Sequence, residues 1–147
     1  MSLVLLDDKM SSQMAAIAAT AHSHPMSEAT IRSCFGHLYT SFGVIENDTL
    51  CGFAILHQIF EDATLMDICV APAFQGKGFG KALLNRVIAA AAEKGAEVLL
   101  LEVRQSGTAA RALYAVLGFE TTGVRKGYYK TDTGSEDAIL MQLSLCQ

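Results

Sequence analysis

Gly76, Gly78 and Gly80 alternate with Lys77, Phe79 and Lys81 between an apolar segment ending at Val70 and a long amphipathic one. Alternate glycines at a helix start remove the Cβ atoms that would cover outward-facing backbone N–H groups. Those first N–H groups have no acceptor within the helix, and the helix dipole adds partial positive charge there. The loop therefore reads as a nest for phosphate, widened by Lys77 and Lys81. An isolated glycine pattern is more often a plain connector, but the strand before it and the helix after it favour a ligand. Neither the dinucleotide spacing G-x-G-x-x-G nor the nucleotide spacing G-x-x-x-x-G-K-S/T is present, so those ligands are excluded.

Two further residues carry chemistry. Glu102 interrupts the apolar run Val98-Leu99-Leu100-Leu101-Glu102-Val103. A carboxylate that is ionised, buried and unpaired is costly. Glu102 either pairs with Arg104, which strand alternation puts on the same face, or sits at the strand's solvent end, or is a base whose pKa desolvation raises. Tyr114, on an amphipathic segment, reads on its own as core packing with the hydroxyl near the surface.

The sulfur and imidazole groups say less. Cys34, Cys51, Cys69 and Cys146 lack C-x-x-C spacing, so reduced, mostly buried thiols are expected, without metal or disulfide. His22 and His24 form an H-x-H pair with no cysteine or carboxylate at ligand spacing nearby, so a loop pair is expected there.

These groups need a frame to hold them. The chain has 147 residues, 51% apolar and 18% charged, which suits a single domain over 1–147 with a sizeable core and excludes disorder. A net charge of −4 argues against a general nucleic-acid surface. No apolar run reaches the ~18 residues of a membrane span, and Met1 to Asp8 carries no secretory pattern, so a cytoplasmic location is expected.

Apolar periodicity predicts a strand over 3–6, a helix over 9–21 and, after Pro25, a helix capped by Ser27 over 28–35. Strands follow over 42–46, 50–59 and 64–70, with Asn47-Asp48 and Glu61-Asp62 as turns. A helix over 78–94 ends at Gly95, and the apolar run 98–103 reads as a strand buried on both faces. A helix over 108–117, stopped by Gly118, and strands over 121–129 and 138–145 complete the order β-α-α-β-β-β-α-β-α-β-β.

Gln75-Gly76-Lys77-Gly78-Phe79-Gly80 resembles the Q-x-x-G-x-G pyrophosphate loop of the Gcn5-related N-acetyltransferase superfamily. Ala112-Leu113-Tyr114-Ala115-Val116-Leu117-Gly118-Phe119 resembles its A-L-Y-x-x-L-G-F segment. The order of elements agrees independently. More narrowly, Glu102-Val103-Arg104, Ala109-Ala110, Arg125-Lys126-Gly127-Tyr128-Tyr129 and Glu136-Asp137-Ala138 resemble the bacterial ribosomal-protein alanine N-acetyltransferase family. Glu61-Asp62-Ala63-Thr64-Leu65 and Pro25-Met26-Ser27-Glu28 do so too, and the likeness spans nearly the whole chain.

That resemblance implies an α/β acetyltransferase (GNAT) fold, a mixed central sheet of about seven strands flanked by about four helices. It implies acetyl-coenzyme A as co-substrate and no metal. Ile68, Cys69 and Val70 would lie beside the pantetheine arm, with Gln75, Gly76, Lys77, Gly78, Phe79, Gly80 and Lys81 at the pyrophosphate. The acceptor would be the N-terminal alanine of a small-subunit ribosomal protein, with Glu102 as base and Tyr114 as acid.

Three positions depart from the family pattern. Gly107 stands where an asparagine amide commonly helps hold pantetheine, Met26 replaces a tryptophan, and Ser135 an arginine. The last two fall in regions expected to line the peptide site.

The implied reaction is direct attack of a free amine on the thioester. An α-amine has pKa near 7.7 to 8, against about 10.4 for lysine, so a modest base suffices. A phenol of pKa about 10 can protonate a departing thiolate whose thiol is near 8.5. The backbone N–H near Val70 would polarise the carbonyl where the strand splays from its neighbour, and Cys69 reads as packing, not nucleophile. Glu61, Asp62, Glu136 and Asp137 are expected to border the acceptor groove and attract a basic peptide. The rivals are an acetyltransferase for a small amine, such as a polyamine or amino sugar, and a non-catalytic acetyl-coenzyme A-binding module.

Overall fold

The computed structural model describes residues 1–22 and 25–145; His24 and Cys146 lie outside the described residues. Seven strands form one sheet in the order β1-β2-β3-β4-β5-β7-β6. β1 (Ser2–Leu6), β2 (Tyr39–Glu46), β3 (Thr49–Ile59) and β4 (Asp62–Val70) pair antiparallel in sequence. β5 (Val98–Arg104) runs parallel to β4 and antiparallel to β7 (Gly134–Ser144), which also pairs with β6 (Glu120–Thr131). The helices are α1 (Ser11–Ala21), α2 (Glu28–Arg32), α3 (Phe79–Glu93) and α4 (Thr108–Val116). Among the described residues, no helix is long and apolar enough to cross a membrane.

Local chemistry accounts for most of these elements. Asn47 and Asp48 both take positive φ, 51° and 61°, the conformation a tight β2–β3 hairpin demands and these two residue types tolerate. Ser27 caps α2 through its side chain, which accepts from the Thr30 N–H at 3.1 Å. α3 buries Phe79, Leu83, Leu84, Val87, Ala90 and Ala91, the stripe its periodicity predicts. Gly95, at φ +89°, turns the chain out of that helix.

The sheet separates two cores. Leu83, Leu84 and Val87 of α3 pack on Ala54, Leu56 and Leu99 on one face. Met14, Ile17 and Ala18 of α1 pack on Phe53, Ile55 and Cys69 on the other. β3 is buried on both sides and alternates between the two cores from Phe53 to Leu56, the phase shifting at Cys51, the extra residue in its pairing with β2.

β5 is not. Leu99, Leu101 and Val103 are buried, but Leu100 and Glu102 are exposed and Arg104 only partly covered, which corrects the expectation of burial on both faces. The reason lies in where the helices sit. α1 packs on β3 and β4 and, among the described helices, none closes the second face over β5. Three adjacent leucines signalled full burial although only alternate positions receive it.

The sheet also opens in the middle. β4 and β5 are joined only over Asp62–Thr64 and Val98–Leu100. Beyond that, a register shift in the β3–β4 pairing leaves Met66 without a β3 partner, while β5 follows β7 through seven residue pairs to Arg104. A bulge of this kind bends one strand away from its neighbour. The two C-terminal halves therefore diverge.

Candidate active site

The glycine loop lies at the C-terminal end of β4. After a short 3₁₀ turn at Pro72–Phe74, the Gln75 amide donates to the Val70 carbonyl at 2.9 Å and ties the loop to the strand. Gly76 and Gly78 have φ of +82° and +83°, and a Cβ built on either meets no protein atom within 4 Å. The space above them is open. The first helical bond of α3 runs from Ala82 N–H to Gly78 C=O at 3.0 Å, so the N–H groups of 79–81 precede the ladder. Lys81 lies in that exposed first turn, whereas Lys77 leans back, its Nζ 3.5 Å from Glu46 and 5.4 Å above the Phe74 ring. The Phe79 side chain is buried beside Phe74 and offers the loop only its backbone.

The divergence of β4 and β5 forms a cleft of about 370 Å³, lined by the facing segments of both strands, by α4 and by Tyr129 of β6. Glu102 and Tyr114 both line it. Tyr114 is 5% exposed, packed against Phe119, and burial foremost, then the charge of Asp67, pushes its phenol well above the ordinary range. It holds its proton throughout the neutral range.

Of the three readings left open for Glu102, the structure supports exposure to solvent and not burial or the Arg104 pair. It stands on the open face of β5, and the burial that would desolvate it is absent. Nor does it pair with Arg104: its Oε1 lies 3.6 Å from Nε of Arg125 on β6. Arg104 instead donates to Glu136 at 3.1 Å and lies 4.0 Å above the Tyr129 ring. Register explains the exchange. Arg104 and Arg125 flank Ala138 in one row across β5, β7 and β6, one arginine on either side of β7, and each finds a different carboxylate.

The acidic border is likewise rearranged. Glu136 accepts from both Arg104 and the Ser106 N–H, and Asp137 accepts from Gly127 N–H, so both are committed to joining strands and loops. Asp62, with Glu61 before it, begins β4 where it pairs with β5, at the closed end of the divergence. The carboxylates lining the cleft are Glu102 and Asp67.

Among the loop-proximal residues, Ile68 and Val70 pack toward the α3 core, whereas Cys69 faces the α1 core. Gly107 lines the cleft in a tight turn, its N–H donating to Arg104 C=O at 2.9 Å. A Cβ there would come 3.2 Å from both that carbonyl and Val103 Cγ2, so the turn has little room for a larger residue. Met26 lines the cleft, while Ser135 pairs with Lys130 near the end of the β6–β7 hairpin, away from it.

Sequence reasoning missed one cluster. His22 has no ligand partner near it in sequence, but Asp67 and Cys69 meet it across 45 and 47 residues. His22 Nε2 lies 3.0 Å from Asp67 Oδ1 and 3.1 Å from Cys69 Sγ. The hydrogen bond to Asp67 raises the histidine pKa, and burial foremost, then Asp67, pushes the Cys69 thiol far up. The available signal was Asp67 itself, a charged residue on the same strand face as a buried cysteine.

An open sheet with a glycine loop at the mouth of the gap and a protonated phenol inside it defines an acyl-transfer scaffold. The family model for "Acetyltransferase (GNAT) family" matches residues 8–119, and the chain belongs to that family. It is 42% identical over 129 residues to the ribosomal protein bS18-alanine N-acetyltransferase of Escherichia coli, covering 88% of this chain and 87% of that protein. The Haemophilus influenzae enzyme of the same name is 42% identical over 126 residues, covering 85% and 86%. A crystal structure of the Escherichia coli enzyme superposes with a TM-score of 0.95 at 38% identity, covering 99% of this chain and 94% of that one.

The Glu136 bridge sets a pH dependence. Hydrogen bonding from Ser106 foremost, with the Arg104 pair, holds its carboxyl below the ordinary value of 4.5. A depressed folded pKa means that the stabilisation is complete above about pH 4.5 and is lost as pH falls through the folded value. Urea midpoints measured from pH 3 to 6 should fall on the acid side in the wild type and fall less steeply in Glu136→Gln.

Proposed function

We propose that this protein transfers the acetyl group of acetyl-coenzyme A to the N-terminal α-amine of a ribosomal small-subunit protein, with alanine as first residue. One arrangement supports this most: Glu102 and Tyr114 face one cleft at the parting of β4 and β5, with the open glycine loop at its mouth. The relatives that share 42% of their residues with this chain carry the same substrate in their names.

The pyrophosphate of the coenzyme would meet the N–H groups at Gly76 to Lys81, with Lys81 and the helix dipole adding positive charge. Its extended arm would run along the unpaired edge of β4. The Ala71 N–H donates to Cys51 C=O on β3, so by strand alternation the Val70 N–H points the other way, into the gap. That N–H is available to the thioester carbonyl as charge develops on it. Glu102, through a water, takes the proton from the α-ammonium, and the freed amine attacks the carbonyl carbon. The C–S bond then breaks, the Tyr114 hydroxyl gives its proton to the thiolate, and the surplus proton of the attacking nitrogen returns to the phenolate, leaving a neutral amide. Asp67 and Glu102 line the cleft beside Arg104, whose charge Glu136 takes, and offer carboxylates to a cationic N-terminal segment. A second reading, a small-amine acceptor in the same cleft, is tested by the same assay.

Three outcomes are expected. Gly78→Val puts a branched Cβ into open space at φ +83° and should weaken acetyl-coenzyme A binding at least tenfold, about 1.4 kcal/mol. Calorimetry checks this, with circular dichroism to establish that the variant is folded; unchanged affinity would remove the loop from the coenzyme site. Tyr114→Phe should lower kcat by roughly 10²-fold with coenzyme affinity nearly intact. Full turnover in that variant would reduce Tyr114 to packing. The function itself is tested by competing an alanine-starting basic peptide against spermidine, an amino sugar and an N-terminally blocked peptide with free lysine, read by mass spectrometry. The first should be acetylated preferentially, and less so at high salt. Preference for spermidine or the sugar would move the acceptor to small amines, and preference for the blocked peptide to lysine.

A further inference from the structure

His22, Asp67 and Cys69 take no part in the proton transfers proposed for Glu102 and Tyr114, yet they converge on one point. The residues come from two elements of the fold. His22 ends α1, its backbone N–H bonded to Ala18 C=O at 2.9 Å, and Asp67 and Cys69 share one face of β4 two residues apart. Donor separations are 3.0 Å from Nε2 to Asp67 Oδ1, 3.1 Å from Nε2 to Sγ and 3.7 Å from Sγ to Asp67 Oδ2.

Hydrogen bonds account for two of the three edges, the thiol donating to Asp67 Oδ2 and the ring to Asp67 Oδ1, but leave the 3.1 Å contact of Nε2 with sulfur without a hydrogen of its own. One ring nitrogen carries one hydrogen, which can point at the carboxylate or at the sulfur but not at both. A nucleophile–base pair fits no better, because the same Nε2 meets both Cys69 and Asp67 and Cys69 is 4% exposed. A cation would draw the nitrogen, the sulfur and one carboxylate oxygen together, and these ligand atoms already lie within 4.8 Å of one another. For zinc bound tetrahedrally to one N, one O and one S at about 2.0–2.3 Å, the ligand atoms stand roughly 3.3–3.6 Å apart; the Nε2–Oδ1 and Nε2–Sγ separations of 3.0 and 3.1 Å come within about half an ångström of that, while the 3.7 Å sulfur contact is to the other carboxylate oxygen, Oδ2.

We propose that His22, Asp67 and Cys69 form a three-ligand zinc site whose fourth position opens onto the cleft. Nitrogen, carboxylate and thiolate donors together suit a borderline ion such as Zn²⁺ and disfavour Mg²⁺ or Ca²⁺. The carboxylate is already oriented, its Oδ1 accepting the Ile68 N–H at 2.8 Å, as ligands held by outer partners are. His22 and Asp67 both line the cleft, so the open side faces its solvent and an exchangeable water completes the shell. Binding replaces the Cys69 S–H bond with a sulfur–metal bond and releases that proton to the buffer.

Titration of the full chain with Co²⁺, a spectroscopic stand-in for zinc, tests the site. The wild type should develop a thiolate-to-cobalt charge-transfer band in the near ultraviolet at one equivalent, erased by added Zn²⁺. Cys69→Ser should lose the band, and His22→Ala should bind at least tenfold more weakly. Cys34→Ser, whose buried thiol bonds to Thr30 C=O, should keep both band and affinity. A thermal melt should show Zn²⁺ stabilising the wild type and not Cys69→Ser. Absence of the thiolate band in the wild type, which needs no variant to fold, would overturn the site, as would full retention of the band in Cys69→Ser.

Discussion

Everything functional in this fold depends on two neighbouring strands parting. β4 is held by β3 and β5 by β7, and three residue pairs near the start of each join them. A buried backbone group without a partner is costly, so a sheet does not open without compensation. Here the Gln75 side chain takes the Val70 carbonyl, while the Val70 N–H stays directed into the gap. The unpaired edge of β4 is thus an extended row of donors and acceptors suited to a chain-like ligand carrying amides of its own. The Met66 bulge makes the parting; the two cores on either side of the sheet keep it open.

Charge in the cleft follows from the same geometry. With the second face of β5 uncovered, Glu102 and Arg104 project over the sheet and not into a core. Two arginines flank β7 and each takes one carboxylate, Arg125 with Glu102 and Arg104 with Glu136. The Glu102 contact is the longer, 3.6 Å against 3.1 Å, and both its partners are substantially exposed. Exposed pairs of this kind are weak, so Glu102 remains free to exchange its partner for a water or an ammonium. Glu136, bound on two sides, is a fastener between β7 and the turn before α4. Tyr114 reaches the cleft from α4 with its ring in the core, which fixes the direction of its hydroxyl.

Departures from the family pattern fall into this frame unequally. Gly107 occupies a turn where a Cβ would press on Arg104 C=O and Val103, so its smallness matches its surroundings. Met26 contributes a flexible thioether to the cleft wall, and such side chains adapt to varied partners. Ser135 lies off the cleft.

Much was legible in the residues themselves. The helix of alanines and leucines after Gly78, the Asn47-Asp48 hairpin, the Ser27 cap and the glycine loop are local features, decided by backbone conformation within a few residues. The element order followed from them and from the turns between them. Glu102 and Tyr114 stood out because one broke an apolar run and the other sat in a recognisable segment. Alternation assigned Glu102 and Arg104 to one face of β5, but not whether a helix covers it, and so misjudged burial and ion pairing. The meeting of His22 with Asp67 and Cys69, and the replacement of Glu61, Asp62, Glu136 and Asp137 by Asp67 and Glu102 as the cleft's acids, were decided by tertiary structure alone. Periodicity records which residues share a face of one element; it carries no information about which distant element packs against that face, and partner choice depends on that packing.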